Sequence, residues 1–264
     1  MIAIEGLVKY FNRRGINEVI ALSGIDLTIE RGEFITVIGS NGAGKSTLLN
    51  CLAGTYRHDE GFILINGKDI SSWPEHRRAR FVGRVFQNPL TGTCASLTIE
   101  QNMALAIKRG DRRGLSLGVK AQYRTMFTER LATLGLGLEH RLKNAVGLLS
   151  GGQRQALTML MASLVQPELL LLDEHTAVLD PKTARKILAL TQRIVSEENL
   201  TTLMVTHNMN QALAFGNRLL MLHGGKIILD VAEEEKRRLT KDNLLSRFYD
   251  VRGEEIDSDR MLLT

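Results

Sequence analysis

Phe34-Ile35-Thr36-Val37-Ile38-Gly39-Ser40-Asn41-Gly42-Ala43-Gly44-Lys45-Ser46-Thr47-Leu48-Leu49 is the stretch on which the rest of the chain is organised. The run from Phe34 to Ile38 is apolar and β-branched, the composition of a buried strand. Glycines at 39, 42 and 44 follow at once. They permit positive φ and close backbone approach, so successive N–H groups of Gly39, Ser40, Asn41, Gly42, Ala43 and Gly44 can turn inward on phosphate oxygens. Ser46 and Thr47 then open a helix through Leu48, Leu49 and Leu52, whose positive end faces the same anion. Every fixed position of G-x-x-x-x-G-K-[ST] is filled in the strand–loop–helix context that the pattern requires. In that pattern Lys45 reaches the β- and γ-phosphates and the Ser46 hydroxyl ligates Mg²⁺. An ordinary glycine-rich turn is the competing reading, and it does not call for all of these residues together.

Composition sets the frame. The chain has 264 residues, 44% hydrophobic and 24% charged, enough for one large domain or two small ones with a buried core. No run of about 18 apolar residues is present, and Met1-Ile2-Ala3-Ile4-Glu5-Gly6 does not read as a signal peptide, so a cytoplasmic protein is expected. Cys51 and Cys94 lack partners at metal-like spacing and read as reduced core or loop thiols. The net charge of +5 comes with basic clusters at Arg77-Arg78-Ala79-Arg80 with Arg84, at Lys108-Arg109 with Arg112-Arg113, and at Lys236-Arg237-Arg238. No aromatics interleave with them, which favours solvated faces or a surface beside a membrane over a nucleic-acid groove.

Residues 1–33 read as short strands, with Ile2, Ile4 and Leu7 in one and Ile25, Leu27 and Ile29 in another. Between them stand Tyr10 and Phe11, which could stack on a base or pack on the small sheet. Gly61 to Lys68 reads as a strand entering an Asn66-Gly67 turn. Phe81-Val82-Gly83-Arg84-Val85-Phe86-Gln87 is a strand ending on an amide, and Asn88-Pro89 then changes the pattern. Thr98 and Gln101 have capping-box spacing at the head of a helix. A second helix is expected through Tyr123, Met126, Phe127, Leu131 and Leu134, after a glycine- and arginine-rich link over 109–118. Residues from about 88 to 165 thus form a helical insertion in an α/β framework.

Leu149-Ser150-Gly151-Gly152-Gln153 heads another helix, with Ser150 as its cap and two glycines that leave N–H groups for an anion. Its Met159 and Met161 read as core filling. Leu169-Leu170-Leu171-Leu172-Asp173-Glu174 reads as a parallel strand covered on both sides. Asp173 is the candidate for the Mg²⁺ shell and Glu174 for the base that deprotonates the attacking water, against the reading of two acids solvating a strand end. Asp180-Pro181 starts a helix. Thr202 to Thr206 is a further strand ending on His207, a lone histidine placed at the ligand edge of an α/β sheet. Strands at 219–222 and 226–229 follow. From Val231 the tail reads as polar, with one short helix near 243–248 and too few residues for an added domain.

In this order the phosphate loop, Gln87, Leu149 to Gln153, Asp173-Glu174, Asp180 and His207 resemble the ATP-binding cassette family over residues 1 to about 230. The resemblance implies an α/β P-loop fold with a mainly parallel sheet, an N-terminal antiparallel β subdomain and an inserted α-helical subdomain. It places residues 1–230 in one ATPase domain and leaves 231–264 as a short tail. It implies ATP and Mg²⁺ as ligands, with Ser46, Gln87 and Asp173 toward the metal. Glu174, His207, Lys45 and Gln87 become the catalytic set, and Phe11, or failing it Tyr10, the adenine-stacking ring. Ser150, Gly151, Gly152, Gln153 and Asp180 would act on nucleotide held by a second copy paired head to tail.

The same resemblance implies separate membrane permease subunits at the cytoplasmic face of the inner membrane, an indirect link to a solute-binding protein, and no nucleic acid. His175 follows Glu174 where many cassettes carry proline. Asp173-Glu174-His175-Thr176-Ala177 with Phe86 to Thr93 resembles importer ATPases paired with solute-binding lipoproteins, some proposed to take up aromatic amino acids. An exporter, or a soluble cassette ATPase acting on DNA or the ribosome, is the alternative.

Overall fold

The structure is a computed structural model that describes residues 1–111, 118–119 and 121–252, with side chains through 249. Along the chain the strands and helices are β1 (Ile2–Phe11), β2 (Val19–Ile29), β3 (Phe34–Gly39), α1 (Lys45–Ala53), β4 (Glu60–Ile65), β5 (Lys68–Asp69), α2 (Glu75–Arg78), β6 (Val82–Val85), α3 (Ile99–Ile107), α4 (Ala121–Ala132), α5 (Gly151–Ser163), β7 (Leu169–Asp173), α6 (Pro181–Glu197), β8 (Thr202–Val205), α7 (Met209–Ala214), β9 (Arg218–His223), β10 (Lys226–Ala232), α8 (Glu233–Arg238) and α9 (Lys241–Arg252). They fall into two compact units, one of residues 1–75 and 201 onward, the other of residues 76–200. No helix among the described residues is long and apolar enough to cross a membrane.

In the first unit β2, β1, β4 and β5 form an antiparallel sheet. Ile2 faces Ile29 on one side and Ile65 on the other, and Ile4 faces Leu27 and Ile63. The two-residue period of a strand puts these side chains on one face, and all of them are buried. Because β1 is paired on both edges, β1 and β2 run longer than the short strands read from the sequence. Asn66 and Gly67 both take positive φ, as the predicted tight hairpin requires. Beside this sheet β3 lies parallel to β8 and β9, with Val37 opposite Val205 and Leu220, and every residue of β3 is buried. β10 returns antiparallel to β9 through Gly224 and Gly225, both at positive φ.

The polar-tail reading is corrected here. β10 continues to Ala232, and two helices follow in place of one. Leu244 and Phe248, four residues apart and so on one helical face, are buried with Ile38, Met209, Ala212, Met221, Leu229 and Val231. The anchors are few, so the surrounding charges mask them in a composition reading.

In the second unit β6 and β7 pair in parallel, Val82 with Leu169 through Val85 with Leu172. Leu169 to Leu172 are fully buried, each contributing about 1.5–3 kcal/mol by the transfer scale. The predicted capping box is formed at the head of α3 by Thr98 with Gln101, and Ser150, the predicted cap of α5, completes a box with Gln153 that the sequence reading did not include. Helix α4 ends at Ala132, so Leu134 lies beyond it, where Gly135 and Gly137 at positive φ turn the chain. Met159 and Met161 are core residues, as read.

The basic clusters are not uniformly solvated. Arg78 is 1% exposed, Arg84 pairs with Asp173, and in the first unit Lys236 is 4% exposed. Strand and helix periodicity turned Arg78, Arg84 and Lys236 inward, which the run of charge conceals. Arg112 and Arg113 lie outside the described residues, as does the chain beyond 252. Cys51 is buried and Cys94 exposed, and among the described residues neither forms a disulfide.

Candidate functional site

The first unit carries the phosphate-loop candidates. At Gly39 a Cβ would stand 2.2 Å from the Leu222 carbonyl oxygen, and at Gly44 (φ 101°) it would stand 2.5 Å from that of Ala21. Both glycines are therefore fixed by neighbouring backbone. Gly42 is different: its φ of 79° strains any other residue, yet among the described residues a Cβ there would meet nothing within 4 Å, so the loop is open at that point. Ala43 donates to Ser40 O at 3.1 Å and its carbonyl accepts from Gly225 N at 3.2 Å, so the loop is tied back.

Helix α1 begins at Gly44 with no side-chain cap and no acid in its first turn. In this it differs from α3, α5 and α6, whose first turns are capped by Thr98, Ser150 and Asp180. A helix start without such a cap is the arrangement that accepts an external anion. Lys45 is 5% exposed, and its Nζ donates to the carbonyls of Gly39 at 2.7 Å and Ser40 at 2.9 Å, which hold the ammonium within the loop. Ser46 and Thr47 follow in the first turn of α1. A cradle of this shape and charge suits a polyphosphate, and the serine hydroxyl is a hard oxygen donor of the kind Mg²⁺ takes.

His207 lies just past β8, beside the carboxyl end of β3, where Thr206 N donates to Val37 O at 3.1 Å. Its neighbours are pinned: the Thr206 hydroxyl donates to Gln211 Oε1 at 2.9 Å, and Asn208 caps α7 through Gln211 N. Phe11 ends β1 with its ring edge-on to Tyr56, centroids 5.5 Å apart. Tyr10 lies under the Arg13 guanidinium at 4.7 Å.

The second unit carries the remaining candidates. Asp173, the last residue of β7, accepts from Arg84 Nη2 at 3.1 Å. Arg84 also lies over the Phe86 ring at 4.5 Å. Glu174 has φ 45°, a left-handed backbone that costs a non-glycine residue of order 1 kcal/mol and is a feature of functional sites. Its Oε2 is 3.4 Å from Gln87 Nε2, so the structure brings these two candidates together.

His175 is 2% exposed, with Nε2 3.0 Å from the Thr191 hydroxyl of α6, and burial lowers its pKa to about 4. The imidazole therefore stays neutral, and it fastens the turn after Glu174 by a side chain where proline would do so through its ring.

At the head of α5, Ser150 accepts from Gln153 N at 3.3 Å and Gln153 Oε1 accepts from Ser150 N at 3.2 Å, so both side chains serve the box. Gly152 has a packing role too, since a Cβ there would lie 2.4 Å from Thr183 Cγ2; Gly151 is not so confined. Asp180 caps α6 by accepting from Lys182 and Thr183 N, and its hydrogen bonds with Thr183 hold the carboxyl below its ordinary pKa. Among the described residues no three His, Cys, Asp or Glu gather as a metal cage. The proposed Mg²⁺ donors are divided, Ser46 in the first unit and Gln87 and Asp173 in the second. Sequence reasoning missed Arg84, Thr191 and the Gly225 contact, because each is set by strand register or helix packing across a long stretch of chain.

Comparison with known proteins fits these features. Residues 22–177 match the ABC transporter family. The chain is 45% identical over 250 residues to a tyrosine transport ATP-binding protein of Clostridioides difficile, covering 94% of this chain and 98% of that one. It is 37% identical to the methionine import ATP-binding protein MetN of Rhizobium johnstonii, covering 82% of this chain and 58% of that relative. Among solved structures, the ATP-binding cassette MJ0796, a dimer in a post-hydrolysis state bound to ADP and Pi, aligns with TM-score 0.74 and 29% identity over 88% of this chain and 98% of that one. By this family match and these relatives the chain is an ATPase that uses ATP with Mg²⁺, and it belongs to the ABC transporter family.

Proposed function

We propose that this chain powers uptake of an aromatic amino acid, tyrosine or a close analogue, through separate permease subunits at the cytoplasmic face of the inner membrane, fed by a solute-binding protein. The observation that carries this reading is the 45% identity to the tyrosine transport ATP-binding protein over 98% of that relative.

In this reading Gly39 to Thr47 bind the triphosphate, Lys45 neutralises its β- and γ-phosphates, and Phe11 stacks on the adenine. Ser46, Gln87 and Asp173 would hold Mg²⁺, which supplies charge neutralisation on the phosphates when bound. Glu174 accepts a proton from water as the water oxygen bonds to the γ-phosphorus. The bond from that phosphorus to the bridging oxygen breaks, giving ADP and phosphate. His207 holds the γ-phosphate during the step.

A second copy closes the site with Ser150, Gly151, Gly152 and Gln153, while Asp180 lies at the contact between copies. Ser150 and Gly151 are exposed, and large apolar side chains stand exposed beside these segments, Leu148 at 72% and Val178 at 58%, which supports a self-pairing surface. Gln87 and the helical insertion over 88–165 pass the change to the permease.

The test is uptake of labelled tyrosine by cells that depend on this chain, together with identification of the membrane proteins that co-purify with it. The reading predicts uptake with the wild type, none with Glu174→Gln, and a co-purifying permease. Wild-type uptake by the Glu174→Gln cells, or association with ribosomes or DNA and no membrane partner, would overturn it.

A further inference from the structure

The C-terminal helices α8 and α9 reach the back of the phosphate loop. Phe248 is 2% exposed and packs in one cluster with Ile38, the residue before Gly39, and with Met209 and Ala212 of α7. Its ring meets His223 edge to face, centroids 5.6 Å apart and planes at 87°. Among the described residues His223 Nδ1 is buried without a hydrogen-bond partner, and the Phe248 ring packs against that imidazole and helps to fix it.

His223 begins the turn that buttresses the loop. Two residues on, Gly225 donates to Ala43 O at 3.2 Å and accepts from Ser23 N at 2.9 Å. Just before it, the Leu222 carbonyl fills the space that a side chain at Gly39 would need. The order of contacts is therefore Phe248, His223, the Gly224-Gly225 turn, Ala43.

A second tie comes from Lys236 of α8. Its buried Nζ donates to the carbonyls of Phe215 and, at 3.0 Å, Gly216, and lies 3.3 Å from the Thr36 hydroxyl. The first two are the cap of α7 and the residue after it, just past the helix end where a cation is favoured by the dipole. Thr36 in turn donates to Ala212 O of the same helix at 2.9 Å. Helix α7 starts two residues after His207.

We infer that α8 and α9 form a brace on the nucleotide site, with Phe248 positioning the phosphate loop through the His223 turn and Lys236 positioning His207 through α7. This rests on the reading of Gly39 to Thr47 as the ATP cradle. Because coupling between sites is reciprocal, ATP held in the cradle also tightens the docking of α9.

The experiment is ATP titration of the purified full chain, with hydrogen exchange of α9 with and without ATP. Phe248→Ala weakens ATP binding on the order of 2- to 30-fold per folded molecule, Phe248→Leu restores most of it, and Lys236→Met lowers kcat more than it changes ATP affinity. In the wild type ATP slows exchange over residues 241–249, a result that holds even where Phe248→Ala fails to fold, and in Lys45→Ala it does not. A folded Phe248→Ala with wild-type ATP affinity, or exchange in α9 indifferent to ATP, overturns the brace. Normal ATP binding by Lys45→Ala overturns the cradle reading instead, so the two failures are distinct.

Discussion

Acidification tests the buried His175 pin. The imidazole is 2% exposed against Thr191, and burial lowers its pKa from the ordinary 6.5 to about 4. As pH falls, the unfolded chain takes up this proton near 6.5 and the folded chain only near 4. The stability contribution is thus fully present above pH 6.5 and is lost as pH falls through 4. At about 1.4 kcal/mol per pH unit the whole loss is about 3 kcal/mol, of which about 2 kcal/mol falls between pH 7 and pH 5. His175→Gln retains an amide that can bond the Thr191 hydroxyl but does not titrate. Urea unfolding followed by far-UV circular dichroism at both pH values gives the comparison, because all other groups titrate in both proteins and cancel. The wild type should lose about 2 kcal/mol more than the variant. Equal losses would mean that the imidazole is charged in the folded state or solvated, and that His175 is no such pin.

Other substitutions probe the remaining contacts. Gly39→Ala places a Cβ 2.2 Å from the Leu222 carbonyl, so the loop must shift, and ATP binding should be lost in a titration that the wild type satisfies. Phe127→Ala empties a fully buried ring position in the second unit and should cost about 3–5 kcal/mol in denaturant unfolding. Thr98→Ala removes the cap of α3 and should cost about 1 kcal/mol by the same measurement.

The elements that carry the motifs were legible in the sequence because local physics dictates them. A glycine loop needs positive φ, a helix start needs Thr98 or Ser150 as acceptor, and a doubly covered strand must read Leu169-Leu170-Leu171-Leu172. What stayed hidden depends on distant partners. Arg84 looked like one charge of a solvated cluster, yet strand register carries it to Asp173. Leu244 and Phe248 are two apolar residues in a charged tail, and the surface of β3, β9, β10 and α7 makes them core. The capping boxes show a further limit: Ser150 and Gln153 satisfy a helix start by themselves, so a motif read as a ligand contact also has a local structural use.

If Glu174 is the base for ATP hydrolysis in a site closed by a second copy, sedimentation of purified Glu174→Gln with and without ATP, alongside its turnover, will show it. Turnover should fall by about 10²–10⁴-fold, as for loss of a general base, and a dimer should form only with ATP. Wild-type turnover by this variant, or a monomer in saturating ATP, would contradict it.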